Sequence, residues 1–169
     1  YKHLRWIDVG GGLGIGIDVA AVGRSLAPMA QKLRQLDPPI EIHMEPGRYV
    51  VAESGVLLSP VTQVRHKTNN IFVGTATGMN SLIRPALYSA HHNIYNLSRH
   101  SLASEEGGAQ EQQRDQNMMR CHIVGPICET ADVLGKDREL PEGTRRGDVL
   151  LVEHAGAYGH SMSMKYNMR

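Results

Sequence analysis

A short α/β unit followed by a mostly antiparallel β domain is the fold that the sequence predicts. Three observations carry the prediction: two short apolar runs each end in a glycine-containing turn, one amphipathic helix separates them, and β-rich stretches dominate everything past Ser59.

Leu4 to Val9, with Trp6 and Ile7, runs straight into Gly10, Gly11, Gly12 and Gly14, the pattern of a buried strand that ends in a tight loop. From Val19 to Leu36 the residues Val22, Leu26, Met29, Ala30, Leu33 and Leu36 recur at helical spacing, and Pro38 and Pro39 stop the helix. Ile40 to Met44 is a second strand, closed by "EPGR" at Glu45 to Arg48; "YVVAESGVLL" follows as one further element with Gly55 near its middle. Strand, helix and strand in that order suggest a parallel unit whose functional residues sit on the loops after the strands, as at the C-terminal face of a β/α barrel.

A domain boundary is expected near residue 58, giving 1–58 as the barrel-like part and 59–169 as the β domain. Within the second part "VTQVRH", "NIFVGTAT", "RCHIVG" and "GDVLLVEHA" read as strands separated by Gly, Pro and Asp. The stretch 98–119 is Gln/Glu-rich and almost free of apolar residues, and reads as an exposed or disordered loop.

Composition narrows the function classes. Lys plus Arg number 18 against 17 Asp plus Glu, and no basic run is interleaved with aromatics, so nucleic acid is not an expected partner. No apolar stretch nears the roughly 20 residues that span a bilayer, and no charged leader precedes a short apolar run. Cys121 and Cys128 match neither a zinc motif nor a disulfide framework, so the cytoplasm is the expected compartment. The abrupt opening "YKHLRWIDVGGG", without an initiator Met, and the equally abrupt "GHSMSMKYNMR" suggest a fragment of a longer protein.

Several groups are candidates for chemistry. Gly10 to Gly12 let backbone N–H groups approach an anion such as a phosphate, although a plain strand-to-helix turn needs the same glycines. Glu45 is suited to a protonated ring nitrogen and Arg48 to a phosphate or carboxylate; the plainer reading pairs them with each other or with solvent. Arg84 and Tyr88 stand four apart, and on a helix they share a face that can grip one anionic group, or simply pack. His91 and His92 are adjacent, which is not the spacing of a helical metal site. Cys128 beside Glu129 is a tunable proton donor or a small packed hydrophobe. Tyr158, in a glycine-flanked turn, suits a phosphate contact or core packing.

In order along the chain, "DVGGGLG", "EPGRYVVAESG", "GMNSLIRPALY", "VGPICETADVL" and "GDVLLVEHAGAYG" followed by "YN" resemble the diaminopimelate decarboxylases, with "RPALY" favouring that branch. These are pyridoxal-phosphate-dependent decarboxylases of the alanine racemase-like fold, in which a β/α (TIM-type) barrel is followed by a C-terminal β domain. The resemblance implies conversion of meso-2,6-diaminopimelate to L-lysine and CO2, the last step of lysine biosynthesis. By it, Gly12 and the backbone of Gly47 and Arg48 hold the cofactor phosphate, Glu45 faces the pyridine nitrogen, and Tyr158 contacts phosphate or substrate. Arg48, Arg84, Tyr88 and Glu129 bind the distal end of the substrate. Cys128 returns a proton to Cα, on a loop that reaches into the partner's site across a homodimer interface, so that each active site is shared.

The match has departures. "TATGMN" places Thr75 or Thr77 where an Asp is common, as in the variant fused to an aspartate kinase. No lysine here matches the Schiff-base lysine, which with the cofactor-stacking histidine belongs upstream of Tyr1. A chain with about a quarter of a ~250-residue barrel and no covalent anchor for the cofactor is expected to be inactive by itself. The alternatives are an ornithine-, arginine- or carboxynorspermidine-type decarboxylase, and a non-catalytic homologue that regulates a partner enzyme.

Overall fold

The computed structural model describes residues 2–99 and 117–169. The chain divides into two units between Ala52 and Glu53, a few residues ahead of the expected boundary.

In the first unit, strands β1 (Trp6–Asp8) and β2 (Glu41–His43) pair in parallel, Trp6 opposite Glu41 and Asp8 opposite His43. A parallel pair needs a crossover, and helix α1 (Val19–Arg34) supplies it. Asp18 starts α1, its side chain accepting from the Ala21 N–H at 3.1 Å, and Lys32 and Arg34 favour its carboxyl end. Pro28 lies inside α1, where its ring removes a backbone donor. None of the α1 side chains is buried; its Leu26 and Ala30 help line an open groove of about 860 Å³ together with Trp6, Ile40 and Ile42. "YVVAESGVLL" is not one element: helix α2 (Gly47–Val51) continues into a 3₁₀ turn (Ala52–Ser54), and strand β3 (Leu57–Lys67) begins only after Gly55. A Cβ on Gly55 would lie 2.8 Å from Gly156 Cα, so this break is where two backbones pass in contact.

The described residues of the second unit form a six-stranded sheet. Its strands are β3, β4 (Asn70–Thr75), β5 (Ile94–Asn96), β6 (Met118–Val124), β7 (Val133–Pro141) and β8 (Val149–Val152), in the order β5-β8-β3-β4-β6-β7. All neighbours are antiparallel except β4 and β6, so the sheet is mixed rather than uniformly antiparallel. β3 pairs with β8 through Leu57–Pro60 and with β4 from Val61 onward, which lets one strand serve two halves of the sheet. The outer strands β5 and β7 approach each other, with Ile94 against Gly135, and the sheet nearly closes. Inside lie Val61, Val73, Ile123, Leu134, Leu150 and Val152, each excluded from solvent and each worth about 1.5–3 kcal/mol of burial.

Two expectations change here. The loop assigned to 98–119 ends earlier, because Met118 and Met119 already belong to β6, where buried Met119, Cys121 and Ile123 alternate with more exposed neighbours; 100–116 lie outside the described residues. β7 was not foreseen, since its Lys136–Glu139 stretch is charged; it is the last strand of the sheet order and, among the described residues, pairs with β6 alone.

Candidate active site

Parallel pairing of β1 and β2 brings the chain that leaves each strand to the same edge. The Glu45 N–H donates to the Gly10 carbonyl at 2.9 Å, and a Cβ on Gly11 would stand 2.5 Å from the Glu45 carbonyl oxygen. Only glycine permits that approach. Gly10 and Gly12 have φ of 75° and 86°, in the left-handed region where glycine is unstrained. The glycine loop and "EPGR", separate motifs in sequence, are thus one surface. Glu45 is exposed and pairs with neither Arg48 nor any other described cation. Arg48 is half-buried, and its Nε is enclosed without a hydrogen-bond partner.

In the second unit, the segment between β4 and helix α3 (Arg84–Tyr88) and the loop between β6 and β7 are stitched together. Thr75 Oγ1 lies 2.8 Å from the Thr77 carbonyl oxygen and 3.0 Å from that of Val124, its one proton shared between the two acceptors. The hydroxyls of Thr77 and Ser81 are hydrogen-bonded, and the Gly78 N–H donates to Asn80 Oδ1 at 3.1 Å. The Asp132 carboxylate, 3% exposed, accepts from the Met79 N–H at 2.7 Å and the Ile127 N–H at 2.6 Å. On this framework Cys128 and Glu129 are exposed, with Glu129 Oε1 accepting from the Thr130 N–H at 2.9 Å.

Arg84 and Tyr88 do share α3, but they meet different surroundings: Arg84 is 8% exposed and Tyr88 60%. Nη1 of Arg84 lies 3.1 Å from Nε2 of His92, and Nδ1 of that buried ring is 2.8 Å from the Glu153 carbonyl. Tyr158 sits at φ 61° in the turn after β8; the Ala155 N–H donates to the Gly55 carbonyl at 2.9 Å, which pins the turn and leaves the phenol half-exposed. The two cysteines differ in kind. Cys121 is buried in the sheet, and burial pushes its thiol up to about 11.

The model of the C-terminal sheet domain of pyridoxal-dependent decarboxylases matches residues 48–156. The chain belongs to the pyridoxal-dependent decarboxylases. Among curated relatives of this family, the diaminopimelate decarboxylase of Aquifex aeolicus is 36% identical over 98% of this chain and 36% of its own length. That of Neisseria meningitidis serogroup A is 40% identical over 98% of this chain and 37% of its own length. The crystal structure of the Helicobacter pylori diaminopimelate decarboxylase complexed with L-lysine superimposes with a TM-score of 0.76 at 36% identity, covering 97% of this chain and 37% of that one. The chain therefore spans little more than a third of the length of these relatives.

The residues of the first unit fit the cofactor of a pyridoxal-dependent decarboxylase. The space beside Gly12 is open, with nothing within 4 Å of where a Cβ would stand, and leaves room for an anionic group; the unpartnered Nε of Arg48 is a donor in want of an acceptor, and the exposed Glu45 carboxylate is free to face a ring N–H. Sequence reasoning missed two supports, Asp132 and His92. A lone Asp closing a Gly-Pro loop just before a strand was the available sign of the first; the second had none, because its partners lie 8 and 61 residues away.

Proposed function

We propose that the enzyme containing this chain uses pyridoxal phosphate to decarboxylate meso-2,6-diaminopimelate, giving L-lysine and CO2. The observation that carries this reading is one anchored loop that presents a thiol, Cys128, and a carboxylate, Glu129, side by side and exposed in a chain of this family. The relatives named diaminopimelate decarboxylase support the choice of substrate.

In this reading Gly12, Gly47 and Arg48 hold the cofactor phosphate through their backbone, and the Glu45 carboxylate keeps a proton on the pyridine nitrogen. Bound pyridoxal phosphate supplies the electron sink for the pair left at Cα when CO2 departs. Arg48, Arg84 and Tyr88 receive the distal carboxylate, Glu129 receives the distal ammonium, and Tyr158 closes on phosphate or substrate. A diamine-type substrate without that carboxylate forgoes the contacts with Arg48, Arg84 and Tyr88, which is the basis of discrimination. Cys128 delivers a proton to Cα from the face its loop presents. The exposure of Cys128 and Glu129 supports their reaching the site of a second copy, so a homodimer with shared sites is part of the proposal.

The first unit, with its parallel strands and open apolar groove, is read as part of the β/α barrel, and two free cysteines support a cytoplasmic location. Among the described residues no helix is long and apolar enough to cross a membrane. The test is Cys128→Ala in the complete enzyme: it binds cofactor as wild type does and loses most turnover. Undiminished turnover would return Cys128 to the role of an ordinary loop residue.

A further inference from the structure

We propose that Asp132 is a positioning residue for this reaction, holding Cys128 and Glu129 in place by bonding the backbone of Ile127 and of Glu129, on the two sides of Cys128. The proposal rests on the functional reading above. Ile127, immediately before Cys128, donates its N–H to Asp132 Oδ2 at 2.6 Å, and Glu129, immediately after it, accepts from the Asp132 N–H at 3.1 Å. The Gly125 N–H closes the loop on the Asp132 carbonyl at 3.0 Å. Cys128 thus stands at the middle of a three-residue arch, Ile127 to Glu129, with both feet on one aspartate.

The second carboxylate oxygen leaves the loop. Asp132 Oδ1 accepts from the Met79 N–H at 2.7 Å, so the arch is fixed to the segment that leads into Arg84. The site is built around the charge: a Cβ on Gly78 or on Gly125 would collide with the carboxylate, and the one on Gly125 would also meet Gly78 Cα at 2.5 Å. Two charge-assisted N–H bonds in a place that excludes water hold far more firmly than a surface pair. Thr75 repeats the link independently, one residue before Gly125, through its bond to the Val124 carbonyl. Two side chains that must meet Cα and the distal ammonium of one substrate need such a fixed base, because displacements of about 1 Å can lower turnover about 100-fold.

An amide at 132 keeps one acceptor but turns its NH2 toward a backbone donor, so Asp132→Asn unfastens one foot without changing size. The experiment uses the complete enzyme loaded with pyridoxal phosphate, comparing wild type, Asp132→Asn and, as a control, Asp148→Asn, which removes a similarly buried carboxylate remote from this loop. Three quantities are read: kcat and KM for meso-diaminopimelate per bound cofactor, the rate at which iodoacetamide alkylates Cys128, and Tm.

For Asp132→Asn we expect kcat to fall about 10- to 100-fold with a smaller change in KM, and Cys128 alkylation to change at least threefold. Asp148→Asn should lower Tm while leaving both rates as in wild type. A lowered Tm for Asp132→Asn with kcat per cofactor and alkylation unchanged would overturn the proposal, leaving Asp132 only structural. Should the variant fail to fold, amide exchange on the wild type decides: protection at Met79 and Ile127 supports the clamp, and free exchange there defeats it. Should the wild type not decarboxylate diaminopimelate, the functional reading fails, while alkylation and exchange still decide whether Asp132 sets Cys128.

Discussion

Arg84 donates from Nη1 to Nε2 of His92 at 3.1 Å, and that ring in turn donates from Nδ1 to the carbonyl of Glu153 at 2.8 Å. A carbonyl only accepts, so the network assigns the proton to Nδ1 and leaves Nε2 as the acceptor for the guanidinium. A cation proposed to receive a carboxylate is therefore steered by a neutral ring that β8 and the turn after it hold from behind. Replacing His92 by Ala is expected to cost about 1–3 kcal/mol of stability and to raise KM for diaminopimelate in the complete enzyme. Thermal unfolding with steady-state kinetics checks both, and an unchanged KM would detach His92 from Arg84.

The two thiols should separate cleanly by reactivity. Cys128 is exposed, whereas Cys121 is 1% exposed and held up to about 11 by burial, so little of it is thiolate near neutrality. Iodoacetamide at pH 7.5 is expected to modify Cys128 alone in the folded protein, and Cys121 only after denaturant is added. Peptide mass mapping reads the outcome, and early modification of Cys121 would contradict its place in the core.

Asp148 predicts an acid-sensitive fold. Burial raises its carboxyl, but hydrogen bonds from Asn96 at 3.0 Å, Arg99 at 3.0 Å and the Arg145 N–H at 3.1 Å, with the charge of Arg99, outweigh burial and leave it below the usual aspartate value. A group lowered in the folded state stabilises fully above its unfolded pKa, about 3.9, and that contribution disappears as pH falls through the lowered value. Urea unfolding of wild type and Asp148→Asn should therefore differ at pH 7 and converge as the pH drops below about 4. A difference that persisted unchanged into acid would show that the carboxylate charge is not what is lost.

Gly125→Ala sets a methyl against the Asp132 carboxylate and the Gly78 backbone, neither of which has room to retreat. A loss of at least about 1–3 kcal/mol is expected from thermal unfolding. An unaffected Tm would mean that the two loops are not in contact.

How far such relationships are legible in sequence depends on their range. β1, β2 and α1 follow from local pattern: a glycine cluster after an apolar run, helical spacing of apolar residues, a pair of prolines. β4, β6 and β8 are legible because buried and exposed residues alternate along them or because apolar runs end in Gly or Asp. β7 is hidden, since "GKDRE" in its middle lies in a strand at the end of the sheet order, where side chains can face water. The site divides in the same way. Cys128, Glu129 and Glu45 announce themselves by type and by their turns, while Asp132 and His92 work through partners far along the chain. Arg84 and Tyr88, paired by spacing, do share α3 but differ in exposure: Arg84 opens the helix and is buried, whereas Tyr88 is its last residue, before Ser89 at φ 52°, and faces solvent.

The central claim is the substrate and its reaction, and one measurement addresses it most directly: CO2 released by the complete, cofactor-loaded enzyme from meso-diaminopimelate, L-ornithine and L-arginine, each with wild type and with Arg84→Ala. The account predicts release from diaminopimelate well above the other two, with Arg84→Ala lowering kcat/KM for diaminopimelate selectively by about 100-fold or more, the range expected when a buried partner for a substrate carboxylate is removed. Preferential release from ornithine or arginine, or none from any of the three, would contradict it.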